Sequence, residues 1–452
     1  MKRNEQRKVH FVLILIMLFS AGIIVLAAAL FIFSQRTSNQ LEDAIAELKR
    51  KGYRVSIQEY VIMCSSEEDA VIPWEKACSS LYIKESDKVW NIYGNIGNDL
   101  SGISDEEKQI LRDAITENLK VLELMRESAA RRCFEYHIDP AMSLLEQPLA
   151  NYKESRSLFR LFVEVRARLA AGNKDWEEFF DAALLGSRIS RKFAERGILV
   201  SCMIRCAFHG IVGNICVDTL AGVVIPERET RELIRLLDPD FLLPAFRDAY
   251  DRERIGILDL AMRFDRGEKT GMNQIFTTNV VTAVVLKPII RQDTTMIQEW
   301  MVRIIEASHE KYPEAMRRIH EVQEEIDSIS NIHFFIPIAM PGAERAYMLI
   351  NETIAFTNAV RIALACKLFQ QDTGAFPETL AHLTPAYLDP LPDDPFTECP
   401  FIYRRLPEGG FIVYSTGADG EDNGGYFQRA NIRPKPGQNY DIGWLEPSPF
   451  QE

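Results

Sequence analysis

No charged residue occurs between Phe11 and Phe33, a gap that dominates the first part of the chain. Leu, Ile, Val, Ala and Phe fill the run, with Ser20 and Gly22 as its main interruptions. As a helix rising about 1.5 Å per residue it reaches roughly 35 Å, against a hydrocarbon core of about 30 Å. A soluble fold would leave this stripe exposed. Other absences exclude classes of function. The chain has no H-E-x-x-H, no G-x-S-x-G and no glycine-rich phosphate loop, so the signatures of zincins, α/β-hydrolases and P-loop enzymes are missing. Lys and Arg number 52 against 65 Asp and Glu, a net charge of −13, and no basic stripe is present. Nucleic acid is therefore excluded as the expected partner. No second run qualifies as a span, because Val280 to Ile290 contains Lys287 and Pro288, and Phe334 to Met340 is short and contains Pro337.

Lys2, Arg3, Arg7 and Lys8 precede the apolar run, whereas Arg36 is followed by Glu42, Asp43 and Glu47. This asymmetry places residues 1–10 in the cytoplasm as a tail, 11–33 across the membrane and the remainder outside. A cleavable signal peptide is the rival reading, but its apolar region usually has only 7–15 residues and ends at a small-residue cleavage site. Ala27, Ala28 and Ala29 supply small residues, yet Leu30 to Phe33 continue the run past them, so an uncleaved anchor is expected.

With 452 residues and 47% hydrophobic content, the exported part has enough apolar material for two or three domains. Eight cysteines in an oxidising compartment allow disulfides in 105 pairings, among which the sequence does not choose. Cys202, Cys206, His209 and Cys216 share one helical face. Three of them stand close enough to share an ion, but Cys216 lies about 21 Å along the axis from Cys202, and a fourth ligand is missing. Buried thiols and a satisfied histidine at a packed helix interface are the expected alternative.

From residue 41 to about 335 the patterning is that of a multi-helix domain. Leu41 to Lys51 reads as a short amphipathic helix ended by Gly52, and Tyr53 to Ile62 as extended chain. Ser104 followed by Glu107 is a capping box opening a helix with Ile110, Leu111, Ala114 and Ile115 at helical spacing. Tyr152 to Leu220 reads as helix, turn, helix, helix, with the turn at Ala171 to Asp175. It resembles a tetratricopeptide-like hairpin, though no second copy recurs at a fixed period. Two weak acid–base candidates are Glu253, within Asp251-Arg252-Glu253-Arg254, and the pair Glu135 and His137. Alternating charges on a helix normally form a solvated face, so no catalytic residue is assigned.

After Pro337 and Pro341 the composition changes, and residues 343–452 read as a small α+β module. A long helix, Ala343 to Gln371, carries Ala346, Leu349, Ile350, Ile354, Val360, Ala363, Leu364 and Leu368 as its apolar stripe. A proline-rich run comes next, then Phe401 to Arg405 and Phe411 to Ser415 as an antiparallel hairpin. The fold class is thus mainly α: a transmembrane helix, a helical extracytoplasmic domain and a C-terminal module with an antiparallel hairpin.

Gly374-Ala375-Phe376-Pro377, Leu391-Pro392-Asp393-Asp394-Pro395-Phe396, the aromatic hairpin and Ser415-Thr416-Gly417-Ala418-Asp419-Gly420 together resemble the C-terminal part of the major pseudopilin of type II secretion. The likeness covers about a fifth of the chain. The whole chain also resembles large, uncharacterised membrane-anchored proteins of the Planctomycetes and Verrucomicrobia kind. The pseudopilin resemblance implies calcium, held by the carbonyl of Thr416 and by Asp419, with Asp422 and Asp441 as further carboxylates. A glycine-rich acidic loop suits a hard cation that takes six to eight oxygens. An EF-hand fits less well, since Asp419, Glu421, Asn423 and Gly424 match its first, third, fifth and sixth positions but Ala430 stands at the twelfth. The sequence departs from a pilin in lacking Gly before, and Glu shortly inside, the apolar run, and in placing some 300 residues between anchor and module.

The expected function is that of a non-enzymatic structural or interaction protein. It would sit in a bacterial inner membrane with its bulk in the periplasm and with calcium stabilising the module. A component of a secretion-like apparatus and an envelope hydrolase with an unrecognised site are the alternatives. Envelope or secretion proteins would be its partners.

Overall fold

The structure, a computed structural model, describes residues 2–60, 64–97, 100–134, 151–195, 197–268, 270, 280–330, 332–340, 342–407, 409–425 and 441–446. Helix α1, Lys2–Arg50, contains the whole apolar run and continues past it without a break. Gly52 ends it as expected: at φ +85° its N–H bonds the Lys49 carbonyl, and the Tyr53 N–H bonds that of Leu48. This is the paired hydrogen-bond pattern of a left-handed C-terminal cap. The short amphipathic helix expected over residues 41–51 is thus the far end of α1, with Leu41 and Leu48 buried. Of the stretch Tyr53 to Ile62, residues 53–60 do not form a strand, and 61 and 62 lie outside the described residues. A single 3-10 turn, Ile57–Tyr60, lets Ile57 bury against Ile255.

Helices α2 (Val71–Ser80), α3 (Ser86–Asn95), α4 (Asp105–Thr116) and α5 (Leu119–Ala130) come next. The capping box at α4 forms in full: the Glu107 N–H bonds the Ser104 hydroxyl, and the Glu107 carboxylate accepts from the Ser104 N–H. A disulfide joins Cys64 to Cys133 across a separation of 69 residues. Helix α6 (Tyr152–Phe159) passes through a π-helical segment, Arg160–Val165, into α7 (Arg166–Gly172), and the hairpin returns along α8 (Trp176–Lys192) and α9 (Leu199–Leu220). Gly186 of α8 faces the π-segment and α9 so closely that a Cβ there would lie 2.5 Å from Val163 Cγ1 and 2.9 Å from Val212 Cγ2.

Helices α10 (Glu227–Leu236), α11 (Leu242–Arg266), α12 (Val280–Ala307), α13 (Tyr312–Asp327) and α14 (Ile336–Ala339) complete the helical part. Pro288 lies inside α12 without ending it. Helix α15, Ala343–Thr373, is the spine of the molecule. Its first half, from Ala343 to Ala355, joins the core formed by α11, α12 and α13. Ala359 to Leu368 join the core formed by α2 to α10. Residues 357–368 are buried on every face, so α15 is a core helix rather than one with a single stripe, while Leu349 of the expected stripe is 41% exposed.

The expected hairpin forms from β1 (Ile402–Arg405) and β2 (Phe411–Ser415), antiparallel with Tyr403 opposite Val413. A third strand, β3 (Ile442–Glu446), pairs antiparallel with β2, and Trp444 faces Val413. Phe401, Phe411, Val413 and Trp444 belong to the same core as α2 to α10. The composition change near residue 341 therefore marks the start of α15 but not a break in packing.

Candidate functional site: the acidic loop and two buried polar centres

The acidic loop lies directly after β2. The Ser415 hydroxyl accepts from the Gly417 N–H, after which two aspartates build successive turns from their own side chains. Asp419 Oδ1 accepts from the Glu421 N–H at 3.0 Å, and Asp422 Oδ1 from the Gly424 N–H at 2.8 Å. Asp422 also accepts the Tyr414 hydroxyl at 2.8 Å, and Arg404 stands 3.9 Å away. The bond from Gly424, reinforced by Tyr414, holds its carboxyl below the usual carboxylate range.

Asp441, immediately before β3, closes the loop. It is 1% exposed, and its two oxygens accept the N–H groups of Asn423 (3.3 Å) and Gly425 (2.6 Å). Gly425 is required here, because at φ +85° an added Cβ would lie 2.1 Å from Ile412 Cδ1. Thr416 is buried too, and its hydroxyl has no hydrogen-bond partner among the described residues. Beneath the loop lies Asp394, which nothing in the proline-rich pattern around it singles out. Burial raises its carboxyl even though it accepts from the backbone N–H groups of Phe396 and Thr416 and from the side chains of Ser415 and Thr397. Thr416, Asp419, Asp422 and Asp441 thus share one loop and its closure, with Asp419 and Asp422 exposed and Asp441 buried. Among the described residues no three Asp, Glu, His or Cys side chains gather as a metal-binding group. In this arrangement Asp419, Asp422 and Asp441 each accept amide N–H groups of the loop.

On α9, His209 is wholly buried. Its Nε2 lies 3.0 Å from the Leu237 carbonyl, which only accepts, so Nε2 carries the proton and Nδ1 faces the Ser190 hydroxyl at 3.1 Å. Burial pushes its pKa down to about 3, and both ring nitrogens are engaged. Cys202 and Cys206 pack in the core of α11, α12 and α13, whereas Cys216 packs in the other. Donation of its S–H to Cys202, together with burial, holds the Cys206 thiol well above its ordinary range. These residues form a satisfied interface between helices.

The charged run on α11 is not a solvated face. Arg252 and Arg254 are buried, and Arg254 bonds Asp251, Gln298 and the Arg54 carbonyl. Glu253 sits at the start of α9, accepting the Leu199 N–H at 3.0 Å, where the positive end of the helix favours an anion. Burial nevertheless raises it to about 7. Charge alternation does not reveal such burial, since it arises from α11 packing against both α9 and α12. Glu135 and His137 lie outside the described residues. A further pair, which no sequence spacing signals, joins buried Asp293 of α12 to half-buried His333 through Nδ1 at 2.5 Å, with Asp293 also accepting from the Phe335 N–H.

No family model, curated protein or solved structure matches this chain.

Proposed function

We propose that this protein is a membrane-anchored structural or interaction protein whose folded part lies outside the cytoplasm of a bacterial cell. The observation that carries the reading is the continuity of α1. Residues 13–33 are exposed except for half-buried Leu30, whereas Thr37, Leu41 and Leu48 of the same helix are buried against the domain. Mean hydropathy in its apolar window is 2.9. A helix that is apolar and unpacked at one end and built into a core at the other joins a membrane to a folded body without a flexible joint. The basic residues before the span and the Cys64–Cys133 disulfide favour an oxidising compartment for that body. The test is fractionation of the full chain expressed in bacteria. It is expected to resist carbonate extraction, and a C-terminal alkaline phosphatase fusion is expected to be active. Release of a shortened, soluble chain would instead establish a cleaved signal peptide.

A calcium-stabilised, pseudopilin-like module is the second reading. It is favoured by the succession of Asp419, Glu421 and Asp422 along one glycine-rich loop that follows Thr416, whose hydroxyl has no partner among the described residues. Thr416, Asp419, Asp422 and Asp441 would hold the ion, after the loop amides release part of the carboxylates. Calcium at millimolar concentration is then expected to raise the melting temperature of the full chain, with magnesium less effective. No shift, and no calorimetric signal, would remove calcium from the account. Association with a secretion-like apparatus rests on the same likeness, and its test is co-purification with secretion proteins.

A further inference from the structure

Helices α1 and α12 run side by side in the same direction. The Arg291 guanidinium bonds the Ser34 carbonyl and hydroxyl at 3.1 and 3.2 Å, and just past the far end of α1 the Tyr53 hydroxyl bonds Glu306 at 3.3 Å. Ser34 is the first residue past the apolar run, so Arg291 sits at the level where the hydrocarbon would end. Its partner Asp265, 2.7 Å away, and Lys287, which bonds the Asp265 carbonyl, make the same level a charged belt.

Everything on α12 before that belt lies deeper. At about 1.5 Å per residue, Val284 is roughly 10 Å and Val280 roughly 16 Å below Arg291, about half of a 30 Å hydrocarbon core. The residues there are Val280, Val281, Thr282, Ala283, Val284, Val285 and Leu286, none charged. Burial changes at the same point. Pro288 and Ile290 are buried against the domain, while Val284 is 49% and Val285 39% exposed. Two adjacent β-branched residues exposed on a helix beside a membrane-spanning helix form an apolar face without a protein partner among the described residues. The side chains of Lys287 and Arg291 are long enough to keep their charges at the interface while their stems stay in apolar surroundings.

We propose that the first two turns of α12, Val280 to Leu286, enter the outer half of the bilayer beside α1, a second membrane contact whose partner is the lipid acyl chain. It rests on the reading of α1 as a retained anchor. Two contacts would fix the tilt and rotation of the folded body on the membrane surface, which a single helix leaves free.

The experiment uses the full chain with Cys399→Ser, reconstituted in phosphatidylcholine–phosphatidylglycerol vesicles. An environment-sensitive fluorophore is attached through Val284→Cys, through Val285→Cys, or through Leu18→Cys in the middle of the anchor. Expected is at least twofold quenching of the labels at 284 and 285 by lipids carrying a nitroxide on the acyl chain, with little quenching by aqueous iodide. The proposal is overturned if the label at 18 is lipid-quenched while those at 284 and 285 respond to iodide. It is also overturned if neither quencher reaches them, since a second copy or another part of the chain would then cover the face. If the label at 18 also responds only to iodide, the anchor itself fails and the proposal with it.

Discussion

Lys367 Nζ on α15 stands 3.1 Å from Glu446 Oε1 on β3, and both side chains are about 95% buried. Glu446 also accepts the Trp444 indole N–H at 3.0 Å and the Gly222 N–H after α9. One carboxylate therefore ties the spine helix, the third strand and the end of α9 together. Burial lowers the Lys367 pKa, opposed by the Glu446 charge. Removing one partner leaves a buried charge without its counterion, which costs about 3–5 kcal/mol, whereas replacing both is often close to neutral. Lys367→Met is expected to destabilise by that amount in urea unfolding of the detergent-solubilised chain. Adding Glu446→Gln, which keeps the acceptor for Trp444, should recover at least half. Equal losses in the single and double variants would show that the pair is not coupled.

Glu253 supplies a pH dependence of known sign. Its folded pKa of about 7 lies above the ordinary 4.5, so the folded state holds the proton more tightly than the unfolded chain. Stability from this group is complete below pH 4.5 and is lost as pH rises to about 7, a change on the order of 3 kcal/mol. Glu253→Gln should flatten melting temperature across that window and stabilise the protein at pH 8. A wild-type profile that rises steadily from pH 5 to 8 and is unchanged by the substitution would contradict the burial of this carboxyl.

His209 tilts the other way. A ring neutral in the fold down to about pH 3, against an ordinary 6.5, contributes stability that is present above pH 6.5 and lost as pH falls. His209→Gln, which retains a donor for the Leu237 carbonyl, is expected to weaken the acid limb of the stability curve. Titration of His209 near pH 6 by NMR would refute the neutral, doubly bonded ring.

The Cys64–Cys133 bridge closes a loop of about 70 residues, for which chain-entropy estimates give about 4 kcal/mol. Reduction, or Cys133→Ser, should lower the melting temperature measurably while leaving the helical circular dichroism intact. The backbone bonds between Ala70 and Cys133 and between Cys133 and Glu68 remain to hold the neighbourhood. Absence of this bridge from a peptide map of non-reduced protein would remove the support it lends to an oxidising compartment.

Asp441 closes the acidic loop through two amides, so Asp441→Ala should speed hydrogen exchange at Asn423 and Gly425 at least tenfold. The β1–β2 pairing should remain protected, because its ladder runs through residues 402–405 and 411–415 and does not involve the loop. Uniform exchange across the whole sheet would mean that the loop and sheet open as one unit.

Several features are legible because they depend on near neighbours in the chain. The apolar run, the cap at Gly52, the Ser104–Glu107 box, the turn before α8 and the β1–β2 hairpin each arise from residues within a few positions of one another. A period or a turn residue reports these directly. The extended reading gives way to a 3-10 turn over residues 57–60, because Ile57 finds a distant partner in Ile255. The charged run at Glu253 misleads for the same reason, since alternation along a helix says nothing about what later packs on it. The calcium reading comes from likeness of motif, and the structure gives those carboxylates their amide partners.

The sequence by itself determined that an uncharged, bilayer-length helix lies near the start of this protein, that helices dominate the residues after it and that a hairpin lies near the end. Those properties are local and come from local hydrogen bonds and apolar periodicity. Only the tertiary structure decided that α1 continues into the domain core, that α15 is enclosed on every face over residues 357–368, and that α12 runs beside α1 with Val284 and Val285 uncovered. Each is a meeting of segments far apart in the chain, settled by which apolar surfaces bury each other and which charges that burial forces into pairs.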